Sequence, residues 1–466
     1  MFQANGVGPN LSDRVPTGIE GFDSLIEGGF PRGSLILLTG DTGSGKTIFS
    51  AQYLYYGASK FDEPGIYVSF AENRETFLNN MKRMNIDLER YEQEGRFKFL
   101  DFPTVTERLI EQIFRSILEE IRELKAKRLV VDSISAMAQA FKEPINTRIV
   151  FRDSLSKMVH QEGCTALAVV EMPKGGERTG LGIEEFIADG VILLRNGKFK
   201  GHLLRDLRIK KLRGTRLPET TLIFTLEDGF ECFSPFEPRV QIEKPKRFQA
   251  TLDLQDRFST GTPDLDAILG GGARRGSSIL LEFDEKVLML QYNLFVAPMV
   301  ANFVAQGKGA WILPSSGVDY EAVRRMALIY GFSEEEFRSL VHVSDFRTES
   351  KFSFDEIELR CRTGKPILAL LDADILATKY GEDECEKILH ENVSHTRQFG
   401  SLAVLVLRSG RETLIRRLSG LAGIHLQLTT RHGALLLRGI KPRTGLHAVE
   451  MDVSKGFALP RLTPIV

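Results

Sequence analysis

In the first half of the chain, short apolar runs rich in β-branched and aromatic residues alternate with longer segments whose apolar positions recur at helical spacing. Leu35–Thr39, Ile66–Phe70, Phe97–Leu100, Leu129–Val131 and Ala166–Val170 read as strands, and Thr106–Lys125 is the clearest helix. Strands separated by helical stretches predict parallel βαβ units. The expected fold class is therefore α/β, with a doubly wound, mainly parallel sheet flanked by helices. In such sheets ligands bind beyond the carboxyl ends of the strands.

The same plan occurs twice. Thr17-Gly18-Ile19-Glu20-Gly21-Phe22-Asp23 and Gly28-Gly29 return as Thr260-Gly261-Thr262-Pro263-Asp264-Leu265-Asp266 and Gly271-Gly272, at a constant offset of 260 − 17 = 243. Arg-Gly-Ser and an apolar run follow both copies, at Arg32-Gly33-Ser34 and Arg275-Gly276-Ser277. The total of 466 residues alone allows two to four domains. The repeat reduces this to two tandem units, 1–238 and 251–466, joined by a polar, Pro-containing linker expected at 239–250.

Gly40-Asp41-Thr42-Gly43-Ser44-Gly45-Lys46-Thr47, followed by Ile48, satisfies G-x-x-x-x-G-K-[ST] between a strand and a helix. Glycines let successive backbone N–H groups curl around the phosphates of ATP, and the helix N-terminus adds its partial positive charge. Lys46 supplies a point charge to the β- and γ-phosphates, and the Thr47 hydroxyl is a ligand for Mg²⁺. The run Leu129-Val130-Val131 ending in Asp132 supplies the second magnesium anchor. Hydrolysis also needs a carboxylate to orient the attacking water, and Glu72 lies just past the strand Ile66–Phe70. A helix-opening acid would occupy the same position for its macrodipole alone.

These residues resemble the KaiC-type branch of the RecA-like ATPases. The resemblance rests on Arg14-Val15-Pro16-Thr17-Gly18, Gly28-Gly29, the phosphate loop, Gly182–Val191 and Lys210-Lys211-Leu212-Arg213-Gly214-Thr215. It implies that Glu72 is the catalytic base, surviving from an acidic pair that reads Ala71-Glu72 here, so turnover is expected to be slow. It also implies a homo-oligomeric ring, with a hexamer as the size to test, in which ATP lies between subunits. Lys211 and Arg213 would then reach the neighbour's γ-phosphate. Read without the resemblance, Arg205, Arg208, Lys210, Arg213 and Arg216 form a solvated basic edge.

The second half retains the plan without the chemistry. At offset 243 the phosphate-loop window becomes Phe283-Asp284-Glu285-Lys286-Val287-Leu288-Met289-Leu290. Two acids then face the phosphate position, and Leu288, Met289 and Leu290 replace Gly45, Lys46 and Thr47. At offset 244, set by Gly65 and Gly309, Ser316 takes the place of Glu72. Asp372, Lys441 and Arg443 are the remnants. The C-terminal unit is expected to be a degenerate RecA-like fold without nucleotide turnover.

Composition narrows the partners. With 61 Lys and Arg against 62 Asp and Glu, the net charge of −1 offers no global attraction for nucleic acid or anionic membranes. The loop Pro173–Gly182 is Gly-rich but lacks aromatic residues for base stacking, so it is weak evidence for DNA. Arg411, Arg416 and Arg417 with Leu414, Ile415 and Leu418 fit a helix with one solvated and one buried face. Cys164, Cys232, Cys361 and Cys385 show no metal-ligand spacing and read as buried thiols of a reducing compartment. No apolar run approaches the ~18 residues that span a bilayer, and the first ten residues do not resemble a signal peptide. A cytoplasmic ATPase with a regulatory role and an unknown protein partner is expected. The alternatives are a nucleotide-gated module that sequesters a transcriptional regulator, similar to the gas-vesicle regulatory proteins, and a DNA-recombination ATPase.

Overall fold

A computed structural model describes residues 13–139, 151–172, 188–238, 246–344 and 365–466. The chain divides into two compact units, Met1–Ser234 with Ile465–Val466, and Pro235–Pro464. Each is built on a nine-stranded, mainly parallel sheet with helices on both faces, the doubly wound α/β plan expected of tandem RecA-like units.

The first unit contains β1 (Leu35–Gly40), β2 (Gly65–Ser69), β3 (Phe97–Asp101), β4 (Arg128–Asp132), β5 (Thr165–Glu171), β6 (Gly190–Phe199), β7 (His202–Leu212), β8 (Thr221–Thr225) and β9 (Glu231–Phe233), in the order β9-β8-β7-β6-β1-β5-β4-β2-β3. The ladders from β3 to β6 are parallel, and β6 to β9 continue the sheet as antiparallel strands. That antiparallel extension was not legible in the sequence pattern. Strand alternation sorts the buried residues into two cores. Ile36 and Leu38 pack with Phe49 and Phe77 on one face, and Leu35 and Leu37 pack with Val131 and Ile117 on the other.

On the first face lie α1 (Lys46–Lys60) and α2 (Arg74–Arg83); on the second lies α3 (Ile110–Leu124). Within the expected Thr106–Lys125 helix, α3 buries Ile110, Ile113, Phe114, Ile117 and Ile121, one stripe at helical spacing, and ends at Lys125 in the left-handed conformation. Each such side chain stabilises the fold by roughly 1.5–3 kcal/mol, so Ile117→Asp would undock the helix.

The second unit repeats the order with β10 (Ser278–Phe283), β11 (Ala310–Leu313), β12 (Val341–Val343), β13 (Leu368–Asp372), β14 (Leu402–Arg408), β15 (Ile424–Arg431), β16 (Ala434–Lys441), β17 (Leu446–Asp452) and β18 (Leu459–Pro464). Its sheet runs β12-β11-β13-β14-β10-β15-β16-β17-β18. The helices relevant below are α4 (Met289–Ala305), α5 (Tyr320–Ile329), α6 (Glu334–Leu340) and α7 (Ala373–Tyr380).

Several sequence signals acquire structural roles. The repeated Thr-Gly…Asp motif is a turn staple: Thr17 Oγ1 and Thr260 Oγ1 donate to Asp23 and Asp266 at 2.7 and 2.8 Å. Of the expected linker 239–250, residues 239–245 lie outside the described residues. The remainder packs into the second unit, where Phe248 is buried against Tyr330 and Phe457. The basic stretch at 411–418 lies largely in a helix that buries Leu414 and Leu418, with Arg417 paired to Asp383 and Glu386 and Arg411 to Asp374. Cys164, Cys232 and Cys385 are buried free thiols, and Cys361 lies outside the described residues. Among the described residues, no helix is long and apolar enough to cross a membrane.

Register requires one correction. Tyr67 faces the same core as Ile36, and its counterpart on that face of β11 is Ile312, whereas Trp311 joins the opposite core. A shift of one residue would exchange the faces. The strand-level offset is therefore 312 − 67 = 245, one more than the glycines suggested, and Gly317 rather than Ser316 corresponds to Glu72. The carboxylate is absent from either position.

Candidate functional site

The loop Gly40–Thr47 joins β1 to α1 at the carboxyl edge of the first sheet. Gly40 must be glycine because a Cβ there would stand 2.2 Å from the Leu194 carbonyl oxygen. Gly45, at φ 91°, caps α1 without a side-chain hydrogen bond, so the first-turn amides retain no intrahelical acceptor. Lys46 Nζ donates to the carbonyls of Gly40 and Asp41 at 2.9 and 2.8 Å. Burial pulls its pKa down, against Glu171, Asp132 and Asp41, which raise it. Thr42 and Gly43 are exposed at the crest, Asp41, Thr47 and Ile48 are half-buried, and Ser44 is buried with its hydroxyl unpartnered.

Parallel pairing of β2 with β4 brings Asp132 to this loop across 85 residues of sequence, with Thr47 Oγ1 at 3.3 Å from Asp132 Oδ2. Tyr67, one turn of the pleat back on β2, donates its phenol to the same oxygen at 2.6 Å. Burial raises the Asp132 pKa, opposed by hydrogen bonds from Tyr67 and Thr47 and by the Lys46 charge. An oxygen pair beside a lysine and a helix N-terminus matches the donor set that magnesium and a triphosphate require. Tyr67 and Glu171 were not singled out in the sequence. A tyrosine at an apolar strand position and an acid ending β5 give no local signal of the site they join.

The raised Asp132 pKa has a consequence for stability. Its folded carboxyl holds a proton more tightly than the unfolded value of ~3.9, so its favourable contribution is complete below that pH and is lost as pH rises through the folded value. Ionising the buried group as pH rises is therefore a net cost to the fold. Asp132→Asn keeps an acceptor for Tyr67 and is expected to raise the Tm of the nucleotide-free protein by roughly 1–3 °C, while removing magnesium-dependent nucleotide binding. Differential scanning calorimetry with and without Mg-ATP checks both effects.

Glu72 sits two residues before Arg74, which opens α2, and is half-buried. Ser69 Oγ accepts the Glu72 amide at 3.0 Å and donates to its carbonyl at 2.8 Å, which fixes the loop. Asn80 Nδ2 donates to Glu72 Oε1 at 2.9 Å. Glu72 also raises the Tyr67 pKa, after burial and Asp132, so its charge is felt inside the site.

Lys211 and Arg213 differ in their surroundings. Lys211 Nζ donates to the Ala188 carbonyl at 2.7 Å, and Lys441 Nζ makes the corresponding bond to Ala422 at 2.6 Å in the second unit. The lysine tether is thus a feature of the fold, present with or without a phosphate loop. Arg213 is 59% exposed and only loosely paired to Asp189 at 3.5 Å. Arg205, grouped in sequence with the basic edge, donates to the Gly43 carbonyl at 3.1 Å and to Asn196 at 2.7 Å. The loop Pro173–Gly182 lies outside the described residues.

Residues 15–231 match the profile of the family described as ATPase: KaiC. A KaiC-like protein from the hyperthermophilic archaeon Pyrococcus horikoshii is 38% identical, covering 47% of this chain and 99% of that one, with a TM-score of 0.43. The first unit carries a KaiC-family ATPase domain. Its KaiC relatives named circadian clock oscillator protein include one from Prochlorococcus marinus subsp. pastoris, 33% identical over 277 residues, 57% of this chain and 52% of that protein. Another, from Prochlorococcus marinus strain MIT 9313, is 33% identical over 341 residues, 68% and 65% of the two chains. The chain thus spans about half the length of the first of these KaiC proteins.

Among the described residues, the second unit has no counterpart of the KaiC-type phosphate loop. After β10, Asp284 Oδ1 accepts the Lys286 amide at 3.0 Å, and Gln291 Oε1 accepts the Leu288 amide at 2.7 Å at the start of α4. Leu288 and Leu290 are exposed where α1 presents Gly45 and Thr47. Charge and shape both oppose a triphosphate there.

Proposed function

We propose that the N-terminal unit binds ATP with Mg²⁺ and hydrolyses it slowly, in the cytoplasm, within a homo-oligomeric ring whose nucleotide state a regulatory protein partner reads. The observation that carries this reading is the convergence of Lys46, the Thr47–Asp132 pair and Glu72 on one sheet edge. The loop amides from Gly40 to Ile48 cradle the phosphates, and Lys46 exchanges its two carbonyl acceptors for β- and γ-oxygens. Thr47 and Asp132 would hold magnesium, which would supply charge neutralisation to the phosphates. Glu72 orients the water that attacks the γ-phosphorus as the bridging bond to the β-phosphate breaks, giving ADP and phosphate. Ala71 supplies no second carboxylate, which supports slow turnover. Arg213, exposed and weakly paired, is the group best able to reach a neighbouring subunit's nucleotide.

Steady-state phosphate release tests the reading. Specific activity is expected to rise with protein concentration as subunits assemble, and Glu72→Gln is expected to lower it by about 10²–10⁴ while sparing ATP binding. Tight ATP binding with no phosphate release at any concentration would select the nucleotide-gated binding module instead. Stimulation by single-stranded DNA would select the recombination ATPase.

A further inference from the structure

The second unit contains a pocket of about 290 Å³ between α4 and α5, floored by β11 and β13 and partly open to solvent. Apolar walls left without partner atoms lose dispersion contacts, so well-packed domains leave few such spaces. This one is about twice the ~150 Å³ cavity that admits benzene.

The first unit explains its origin. There, α2 buries Phe77, Leu78 and Met81, and the Phe77 ring packs at a tilt against Tyr67 and Phe99 at centroid separations of 4.3 and 4.9 Å. The helices align through their N-caps, Asn73 and Asp319, each of which accepts an amide three residues on. That offset, 319 − 73 = 246, places Val323 at the Phe77 position and Ala327 at the Met81 position. Tyr67 is likewise replaced on its face by Ile312. Three large side chains become smaller together, and none of the residues of α5 is fully buried. Val323, Met326 and Ala327 instead face the cavity from above, opposite Val296 and Val300 of α4.

One end is polar. Tyr292 donates its phenol to Ser315 Oγ at 2.6 Å, and the Ser315 hydroxyl in turn bonds the Asp372 carboxylate. Asp372 is 4% exposed and accepts the Ile375 amide at 3.0 Å as the N-cap of α7. With both hydroxyl protons used inside this chain, the phenol oxygen and the carboxylate are left as acceptors. Such an end welcomes a hydrogen-bond donor, and the Asp372 carboxylate disfavours an anion even though the Arg408 charge acts on both Tyr292 and Asp372.

We propose that the degenerate unit is a binding site for a small apolar molecule of about nine to fifteen non-hydrogen atoms with a single hydroxyl or amino head group directed at Tyr292 and Asp372. The site takes up the volume released when the nucleotide-type unit lost its aromatic packing.

The test uses the full chain with octan-1-ol, 2-naphthol and octanoate as probes, read by isothermal titration and ligand-observed NMR. Octan-1-ol and 2-naphthol are expected to bind saturably at one site per chain, with octanoate at least ten-fold weaker. Val323→Phe restores the ring found at Phe77 and is expected to lower affinity at least ten-fold, with the Tm maintained or raised. If that variant is instead less stable, Ala327→Leu fills the next turn and is read in the same way. Asp372→Asn, which keeps the helix cap, is expected to narrow the preference for octan-1-ol over octanoate. Absence of saturable binding, octanoate binding as tightly as the alcohol, or unchanged affinity in both filled variants would overturn the proposal.

Discussion

Lys46→Ala is expected to weaken ATP binding by about 10²–10⁴ and to abolish measurable phosphate release, with the fold intact. The magnitude follows from losing two charge-assisted hydrogen bonds to phosphate oxygens, each contributing roughly 1.5–3 kcal/mol. Structural damage should be slight. Lys46 Nζ meets only the Gly40 and Asp41 carbonyls among the hydrogen bonds described; Asp41 is half-buried, and the buried Gly40 carbonyl also accepts the Met172 amide at 3.4 Å. Removing a half-buried cation whose pKa burial already lowers should leave the Tm unchanged or slightly raised. The second unit cannot mask the result, because Leu288, Met289 and Leu290 occupy the positions of Gly45, Lys46 and Thr47. Titration with a fluorescent ATP analogue and a phosphate-release assay provide the two readouts. Retention of wild-type phosphate release would remove the phosphate-loop assignment altogether.

The second large effect concerns Arg213. Arg213→Ala is expected to lower hydrolysis by about 10³, the lower end of the range for an arginine acting on a neighbour's γ-phosphate, while leaving ATP affinity within about two-fold. Its pairing with Asp189 at 3.5 Å is exposed and worth little, so the guanidinium can leave it at small cost and stability should change by less than about 0.5 kcal/mol. Mixing decides whether it acts in trans. Lys46→Ala subunits carry an intact arginine and Arg213→Ala subunits an intact phosphate loop, so co-assembly is expected to restore activity that neither has alone. A mixture as inactive as its components would show that Arg213 acts within its own subunit. Lys211→Ala is expected to behave differently and to lower the Tm, because the same lysine-to-carbonyl tether recurs at Lys441 in a unit without a phosphate loop.

The parts of the site legible in the sequence are those encoded in contiguous residues. Gly40–Thr47 dictates its own loop through glycines at positions of close approach or positive φ. Asp132 was legible because a short apolar strand ending in an acid follows at the appropriate distance. The partners Tyr67, Asn80, Glu171 and Arg205 were not legible. Each is an ordinary residue on its own element and reaches the site only after β2, α2, β5 and β7 take their places in one sheet and its covering helices. The antiparallel extension β6 to β9 was missed for a related reason: Arg195 on β6 and Asp206 on β7 break the apolar alternation with charges that pair across the two strands.

The repeated motif and the missing phosphate-loop residues of its second copy were legible in the sequence alone, because recurring Thr-Gly…Asp turns and an absent lysine need no folded context. Tertiary structure decided the register of β11, the contrast between the tethered Lys211 and the exposed Arg213, and the cavity beneath α5. A one-residue shift exchanges the faces of a strand without altering its composition. Likewise, a void arises only when small side chains from β11 and α5 meet over the same area of sheet, a coincidence of volume that no single segment records.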